Sequence, residues 1–484
     1  MNKMNYTMLC DFYELTMANG YYLSGKKDEI CYFDIFFRDV PDNGGYAIFA
    51  GLEEMVKYIR NLKFSEEDII YLRNKKQFSE DFIEILKNFK FEADIYAMPE
   101  GSVIFPYEPV IIVRGKTIEV QLIETYMLTV FNHQSLIATK ANRIVRAAEG
   151  RIVSEFGARR AHGAEAAYLG ARSAYIAGVA STSNTLADVI FNIPATGTMA
   201  HSWVQVFDTE YEAFKTYCEI YPDSTVLLVD TYNITKSGIP NAIKAFNEVL
   251  KPLGKRPIGV RLDSGDIAYQ SKKVRKMLDD AGYFDCKVIV SNSLDEYLIT
   301  NLLQQGAKID SFGVGERLIT SKSSPVFGGV YKLAAIEKDG KIIPKIKISE
   351  NVEKITTPHF KKVYRLYQDG KATADYITIH NEKPDFSKPL EIFDPHITWK
   401  RRTLITYSAR EMLVPIFKKG KLVYTLPTLE EIRSYCKSEV DSIWDEVKRF
   451  ENPHNYYVDL SKELWDCKED LLVSEKTKIN GYKK

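Results

Sequence analysis

The residues best suited to chemistry in this chain form one short run, Gly197-Thr198-Met199-Ala200-His201-Ser202-Trp203-Val204. The run contains one of the seven histidines in 484 residues, and it lies between a short apolar stretch and a segment with helical spacing. Imidazole can transfer a proton, or carry a transferred group, near neutral pH. A lone histidine in such a place is more often structural, so the chemical interpretation depends on what the fold brings near His201.

The elements that would position this run are β-branched stretches that alternate with helical ones. The predicted strands are 152–155, 176–180, 196–200, 226–230, 258–261, 288–291 and 309–312. The predicted helices between them are 164–174, 184–191, 210–220, 239–250, 267–278 and 294–305. Such alternation indicates βα units and a parallel sheet. We expect an irregular (β/α) barrel; a doubly wound open sheet is the alternative, because periodicity does not show closure.

Polar residues and glycines directly follow the predicted strands. These clusters are 155–160, 181–184, 197–202, 230–233, 261–266, 291–295 and 313–316. In a barrel they would converge on the C-terminal face, where ligands bind. One cluster alone would indicate a helix cap, since Ser, Asp and Asn are preferred there. Seven clusters in register favour a binding pocket.

The side chains of this pocket suit an anionic, phosphorylated sugar. Arginines suit the bidentate binding of carboxylate or phosphate, and the chain has Arg159, Arg160 and Arg261 here. The turn Gly313-Val314-Gly315 leaves backbone N–H groups free to hold phosphate, although a plain tight turn has the same sequence. Carboxylates could hold a divalent metal or ribose hydroxyls, or cap helices; they are Asp230, Asp263 and Asp295.

Several longer stretches resemble one known family. They are DFYELTM (11–17), FR (37–38), GGYAIFAGL (44–52), EFGARRAHG (155–163), GTMAHSWV (197–204), GVRLDSGD (259–266), DSFGVGERLIT (310–320) and GGVYKL (328–333). On these residues the chain is similar to the nicotinate phosphoribosyltransferases of the type II phosphoribosyltransferase family, which also contains nicotinamide and quinolinate enzymes. The resemblance implies an α/β protein whose irregular barrel (131–340) carries the active site. It also implies that an N-terminal α+β part (1–130) and a C-terminal part (341–484) pack together against that barrel.

The resemblance also implies roles for single residues. His201 is similar to the histidine that ATP phosphorylates, which couples ATP hydrolysis to product formation, and Asp263 accompanies it as a catalytic residue. Tyr13, Thr198 and Arg261 resemble the residues that hold nicotinate, with the tyrosine on the ring and the arginine at the carboxylate. Arg159 is implied to contact the ring or a phosphate, and Ser183 stands where the nicotinamide enzyme has an aspartate. The residues implied to bind the 5-phosphate are Gly313, Gly315 and Thr320. Asp263 and Asp295 match positions linked to ribose and magnesium.

These roles predict an enzyme that condenses nicotinate with 5-phosphoribosyl 1-pyrophosphate, coupled to ATP, as the first step of NAD salvage from nicotinate. Magnesium is the implied cofactor, although its ligands cannot be assigned from the sequence. A homodimer is also implied, in which the partner subunit delivers the tyrosine. The alternatives are an enzyme of the same group that uses nicotinamide or quinolinate, a barrel isomerase or aldolase, and a non-catalytic binding protein on this scaffold. The predicted strand ends offer no Schiff-base lysine for aldolase chemistry.

Whole-chain properties narrow the classes further. The 65 basic and 65 acidic residues balance, so we expect no nucleic-acid partner. The cysteines at positions 10, 31, 218, 286, 436 and 467 form no CxxC pair, which indicates reduced thiols and no zinc site. Asp11 and Glu14 fall where a signal peptide would have its apolar core, and no 18-residue apolar run occurs. We expect a cytoplasmic protein without a membrane partner.

Overall fold

The computed structural model describes residues 5–395 and 397–481. It divides into two compact units. Unit 1 is formed by both ends of the chain, residues 1–136 and 326–484, and unit 2 is the continuous segment 137–325. Within the described residues, every helix is too short or too polar to cross a lipid bilayer.

The N-terminal part of unit 1 begins with capped helices and short strands. In order they are α1 (Phe12–Leu23), β1 (Ile30–Phe36), β2 (Ala47–Ile48), α2 (Leu52–Asn61), α3 (Glu66–Asn74), α4 (Glu80–Lys87), β3 (Asp94–Ala97), β4 (Val103–Ile104), β5 (Ile111–Lys116), α5 (Thr117–Gln121) and α6 (Glu124–Ala147), which belongs to unit 2 from Ile137 onward. Helix α3 begins at a capping box in which the side chains of Ser65 and Asp68 each accept the other's backbone N–H. Ser79 caps α4 by accepting the N–H of Phe82.

Unit 2 alternates strands and helices. They are β6 (Ile152–Glu155), α7 (Ala164–Ile176), β7 (Ser181–Thr182), α8 (Thr185–Phe191), α9 (His201–Val206), α10 (Glu210–Ile220), β8 (Val226–Leu228), α11 (Ile239–Ala245), β9 (Gly259–Leu262), α12 (Ile267–Asp280), β10 (Lys287–Ser291), α13 (Glu296–Gln304), β11 (Ser311–Val314) and α14 (Glu316–Ile319). Helix α11 is flanked by π-helical turns at Ile234–Gly238 and Phe246–Leu250. Short 3-10 turns occur in both units, at Tyr6–Met8, Pro41–Asn43, Ala158–Arg160 and Val352–Lys354.

The strands of unit 2 form one parallel sheet in the order β7-β6-β11-β10-β9-β8. The sheet curls into a half-barrel, which confirms the predicted α/β class and its irregular barrel. Because all neighbouring strands are parallel, their carboxyl ends lie along one edge, with Ser291 of β10 beside Gly313 of β11. That edge is where the polar clusters of the sequence are presented.

Two predicted strands of unit 2 were wrong. Residues 176–180 are the end of α7 and a turn at Gly178, whose φ of +115° ends the helix, so the strand begins only at Ser181. The segment 196–200 is not a strand; a single bridge, between Thr182 and Ala195, directly precedes it, and the chain then leaves the sheet. Strand β7 has only two residues, so its edge is too short to pair with further residues of this segment. The chain therefore leaves the sheet and continues to His201.

The C-terminal part of unit 1 is mostly antiparallel. It contains β12 (Val330–Lys338), β13 (Lys341–Pro344), β14 (Lys361–Gln368), β15 (Lys371–Ile379), β16 (Leu390–Phe393), β17 (Arg401–Leu404), β18 (Ser408–Glu411), β19 (Val414–Lys418), β20 (Lys421–Leu422), α15 (Leu429–Ser442), β21 (Tyr457–Leu460) and α16 (Lys462–Gly481). The largest sheet of unit 1 has the order β13-β12-β1-β5-β3-β19-β20, so strands from both chain ends share one set of backbone hydrogen bonds. A second sheet has the order β18-β14-β15-β21.

Candidate active site

His201 is the first residue of α9 and stands where the chain has just left the sheet. Its Nδ1 lies 3.1 Å from Thr231 Oγ1, and its Nε2 lies 4.0 Å from Asp263 Oδ2. The imidazole is 41 % exposed, so one ring nitrogen is oriented by a hydroxyl while the other faces a carboxylate and solvent. The structure therefore brings together His201 and Asp263, the two predicted catalytic residues.

Arg261 lies on β9 beside this pair. Its Nη1 donates to Thr198 Oγ1 and, at 3.4 Å, to the carbonyl of Met199, while its Nη2 is 4.0 Å from Asp263 Oδ1. These contacts fix both the guanidinium and the loop that precedes His201. The predicted nicotinate-binding residues Thr198 and Arg261 are thus in direct contact.

The electrostatics of Arg261 suit an anionic ligand. Burial lowers the pKa of its guanidinium; Asp263 and Asp230 oppose that shift, and the charge of Arg159 adds to it. The Nε of Arg261 is buried and has no hydrogen-bond partner among the described residues. A desolvated cation with an unused donor gains from a carboxylate or phosphate that supplies both charge and an acceptor. The influence of Arg159 on this pKa shows that Arg159, the middle residue of a 3-10 turn, is near Arg261.

The carboxylates of Asp230 and Asp263 accept hydrogen bonds from serine hydroxyls and from a backbone N–H. Asp263 Oδ1 accepts from Ser291 Oγ, and Asp230 Oδ2 accepts from the N–H of Asp263 at 2.9 Å and from Ser264 Oγ at 2.6 Å. The other oxygen of Asp230 is buried without a hydrogen-bond partner among the described residues. Within the same residues, no group of three or more His, Cys, Asp or Glu side chains could hold a metal ion. A cation here would therefore have few protein ligands.

Two of the predicted residues make contacts outside this group. Asp295 caps α13 through the N–H of Leu298 at 2.8 Å and also pairs with the guanidinium of Arg317, so its carboxylate is already engaged. Ser183 is exposed at the end of β7, and its N–H donates to the carbonyl of Glu155 at 2.8 Å. Their proposed roles at ribose and at the ring stay predictions.

The glycine turn after β11 is shaped by Phe156, which sequence reasoning did not single out. A Cβ on Gly313 would lie 2.4 Å from the ring of Phe156, and one on Gly315 would lie 3.0 Å from its carbonyl oxygen. The two glycines are therefore needed for the close approach of the segment after β6. The sequence could have indicated a role for Phe156, because this aromatic residue stands directly after a predicted strand in EFGARR.

Replacing Gly313 by alanine is expected to destabilise the fold. The new Cβ would overlap the ring of Phe156, and such overpacking in a tight site costs about 1–3 kcal/mol. Thermal unfolding should therefore show a lower Tm for Gly313→Ala than for the wild-type protein. The control is Gly20→Ala in α1, where an added Cβ meets nothing within 4 Å. Equal Tm values for Gly313→Ala and wild type would contradict this packing.

A cavity of about 360 Å³ opens next to the glycine turn. It is lined by Arg160, His162, Glu316, Thr320, Lys322 and Pro325. Glu316 accepts from Lys322 Nζ at 2.7 Å, and Arg160 Nε lies 4.0 Å from its other oxygen. Thr320 ends α14, where its Oγ1 donates to the carbonyl of Glu316 at 2.7 Å. The basic side chains outnumber the one carboxylate, so this cavity suits phosphate oxygens better than a cation.

Tyr13, the remaining predicted residue, belongs to unit 1. It is 45 % exposed on α1, and burial together with the nearby carboxylates of Glu124 and Glu14 raises the pKa of its phenol. Glu124 accepts a hydrogen bond from this phenol and also lies near Lys332. Burial lowers the pKa of Lys332; Glu124 opposes that shift, and the charges of Lys347 and Arg38 add to it, so three cations lie close together in unit 1. The sequence analysis had assigned no role to these cations.

Comparison with known proteins identifies related sequences along most of the chain. The family model "Nicotinate phosphoribosyltransferase (NAPRTase) family" matches residues 152–375. The models of the N-terminal and C-terminal domains of the same enzyme match residues 8–132 and 360–468. The motif resemblance found in the sequence is thereby confirmed.

Individual relatives agree with the family models. A nicotinate phosphoribosyltransferase of Bacillus subtilis is 45 % identical over 473 residues, which cover 97 % of this chain and 96 % of that protein. One from Mycobacterium tuberculosis is 38 % identical, over 94 % of this chain and 92 % of that protein. Among solved structures, the human nicotinic acid phosphoribosyltransferase superposes with a TM-score of 0.85 at 28 % identity, and the match covers 95 % of this chain and 99 % of that one.

Proposed function

Because the chain belongs to the nicotinate phosphoribosyltransferase family, we propose that it joins nicotinate to the phosphoribosyl group of 5-phosphoribosyl 1-pyrophosphate. The products are nicotinate mononucleotide and pyrophosphate, and the mononucleotide enters NAD salvage. The observation that carries the proposal is Arg261, a mostly buried guanidinium with an unused donor, held by Thr198 beside His201 and Asp263. A flat aromatic carboxylate satisfies this cation.

The reaction makes positioning the main task of the protein. The lone pair of the ring nitrogen forms the bond to the anomeric carbon, and the bond from that carbon to the pyrophosphate oxygen breaks with its electron pair. The transition state has oxocarbenium character, so it is stabilised by carboxylates near the sugar and by cations near the leaving group. Asp263 is suited to the first task because Ser291 and the contact with His201 orient it.

His201 couples ATP to this reaction in our proposal. When Nδ1–H donates a hydrogen bond to Thr231 Oγ1, the ring stays neutral and the lone pair of Nε2 is free to attack the γ-phosphorus of ATP; the bond from that phosphorus to the β-phosphate oxygen breaks and ADP leaves. The new phosphoryl group adds negative charge beside Asp263 and close to the loop held by Arg261. Water later removes the phosphoryl group and restores neutral imidazole.

The remaining predicted residues are assigned to parts of the substrates. The glycine turn at Gly313 and Gly315, with Thr320, binds the 5-phosphate in this proposal. Arg159 binds the ring or a phosphate, Ser183 faces the ring, and Asp295 lies near ribose. Magnesium would be held by Asp230 and Asp263, whose oxygens fit a cation that keeps most of its ligands as water and phosphate, and it would neutralise charge on the leaving pyrophosphate. We assign the enzyme to the cytoplasm.

A competition assay tests the function. Wild-type protein is supplied with 5-phosphoribosyl 1-pyrophosphate and equal amounts of nicotinate, nicotinamide and quinolinate, with and without ATP. Nicotinate mononucleotide is expected as the main product, formed faster with ATP. Nicotinamide mononucleotide as the main product, or carbon dioxide released from quinolinate, would assign the chain to the other enzymes of the group. Absence of all three products would favour the non-catalytic alternative.

We also propose that the working unit is a homodimer in which Tyr13 of one subunit serves the site of its partner. Helix α1 leaves Phe12, Tyr13 and Met17 exposed, and unit 2 exposes Val189 (78 %) and Val206 (82 %) on α8 and α9. Large exposed apolar side chains at the elements that carry the site favour burial against another chain.

Mixing two variants that are each inactive in ATP-coupled turnover is expected to restore that turnover. Tyr13→Ala and His201→Ala proteins are refolded together, so that one site of each heterodimer contains both native residues. We expect roughly a quarter of wild-type ATP-coupled turnover, because about half of the dimers are heterodimers with one intact site. Each variant refolded alone is the control. Verified heterodimers without activity would assign Tyr13 to the site of its own chain, or to no site.

A further inference from the structure

A buried ammonium group in unit 2 has a hydrogen bond to the loop beside the glycine turn. Lys140, on α6, is 2 % exposed, and its Nζ donates to Glu296 Oε1 at 2.9 Å and to Ser323 Oγ at 2.7 Å. Arg143 Nε donates to the same Glu296 oxygen at 2.7 Å, and Glu296 is fully buried. A buried charge requires such complete pairing, because an unpaired one would cost several kcal/mol. The position of Lys140 is therefore well defined.

The segment attached to Lys140 is also held by contacts with other elements. Helix α14 has only four residues, and a helix of that length is unstable without outside contacts. Within it, Arg317 pairs with Asp295, and after it Ser323 accepts from Lys140. Asp295 and Glu296 are neighbours at the start of α13, so both connections lead to the same point of the fold.

The loop around Ser323 is held by its own contacts, so that a shift of one residue would displace its neighbours. Ser321 is fully buried with a φ of +43°, and its Oγ donates to the carbonyl of Ser324 at 2.9 Å. Thr320, Lys322 and Pro325 of the same loop line the cavity. A shift of Ser323 would therefore move the groups that face a phosphate in that cavity.

We propose that Lys140 is a positioning residue for the phosphorylated substrate: its hydrogen bond to Ser323 fixes the loop of Thr320 and Lys322 in the geometry that binds phosphate. The inference rests on the proposed function and deepens it. Preorganised donors bind phosphate without a reordering cost at the moment of binding. Loss of the hydrogen bond should weaken the binding of 5-phosphoribosyl 1-pyrophosphate and leave that of nicotinate unchanged.

The main test is the exchange of Ser323 for alanine. This residue is exposed, so the variant should fold with an unchanged Tm while Lys140 keeps its pair with Glu296. We expect the KM for 5-phosphoribosyl 1-pyrophosphate to rise about three- to tenfold, the scale of one hydrogen bond, with the KM for nicotinate within about twofold of wild type. Ser323→Thr, which keeps the hydroxyl, should restore the wild-type value. Ser324→Ala is the matched control, since its side chain takes no part in the contact with Lys140.

A second variant removes the ammonium itself. Lys140→Met should give the same selective rise in KM, with a lower Tm because Glu296 loses one of its cations. Should Lys140→Met fail to fold, Ser323→Ala decides alone. A wild-type KM for Ser323→Ala, or equal rises for both substrates, would overturn the proposal.

Different results would contradict the proposed function and the proposed role of Lys140. If wild-type protein forms no nicotinate mononucleotide, the proposed function is wrong, and the positioning role is then read from the binding of inorganic pyrophosphate by calorimetry. Weaker binding to Ser323→Ala than to Ser324→Ala would still support the role of Lys140. Equal binding to both variants would overturn it.

Discussion

Replacing His201 with alanine is expected to abolish the stimulation of turnover by ATP while a slow, ATP-independent transfer remains. The imidazole is the group that would carry the phosphoryl, whereas Arg261, Asp263 and the glycine turn would still position the substrates. The loss of ATP-stimulated turnover should be on the order of a hundredfold, the scale on which single catalytic groups contribute. Initial rates measured with and without ATP give the result directly.

A phosphorylation assay accompanies the rates. Wild-type protein incubated with γ-labelled ATP should gain acid-labile phosphate, and His201→Ala should not. His454→Ala is the matched control, because that histidine packs near Trp444 in unit 1 and has no place in the proposed reaction. If the His201→Ala enzyme were stimulated by ATP as strongly as wild type, another group would have to carry the phosphoryl.

Arg261→Lys is expected to weaken nicotinate binding by about ten- to a hundredfold although the charge is kept. The planar guanidinium can donate to both oxygens of a carboxylate while still bonded to Thr198, and an ammonium cannot do both. Charge-assisted hydrogen bonds contribute roughly 1.5–3 kcal/mol, which corresponds to this range. The KM for nicotinate measures the effect.

An arginine-to-lysine substitution at the surface is the control that distinguishes a loss of nicotinate binding from a general effect on folding. Arg256→Lys changes an exposed arginine that pairs with Asp285, and we expect its kinetic constants to remain those of wild type. The wild-type enzyme should prefer nicotinate to nicotinamide for the same reason that Arg261→Lys is impaired. Equal use of the two substrates by wild type would show that the guanidinium does not bind the carboxylate.

The sequence was sufficient to predict much of unit 2 because its signals are local. Strand 152–155 matches β6, and helix 210–220 matches α10, since periodicity and caps act over a few residues. The contact of Arg261 with Thr198 brings two of the expected nicotinate-binding residues together, and their roles stay predictions.

Other parts of the site depend on contacts between distant residues. Asp295 looked available for ribose or metal, yet it is occupied by Arg317, which only the folded chain brings near. The approach of Phe156 to Gly313 joins positions more than 150 apart in sequence, so the contact itself depends on the pairing of strands in the folded sheet. The same holds for Lys140, because only the folded chain brings Glu296 and Ser323 within hydrogen-bond distance of its ammonium group.

The shared sheet of unit 1 has a consequence for how the chain is made. Strand β1 pairs with β12 through Ile30 and Glu337, and β3 pairs with β19 through Ala97 and Val414, so these partners leave the ribosome long after the first strands. Unit 2 is continuous and can fold during synthesis, whereas β1 and β3 wait with unpaired edges. Such edges are prone to association with other chains. Newly made protein is therefore most vulnerable to aggregation at its N-terminal third, and slower translation would prolong that exposure.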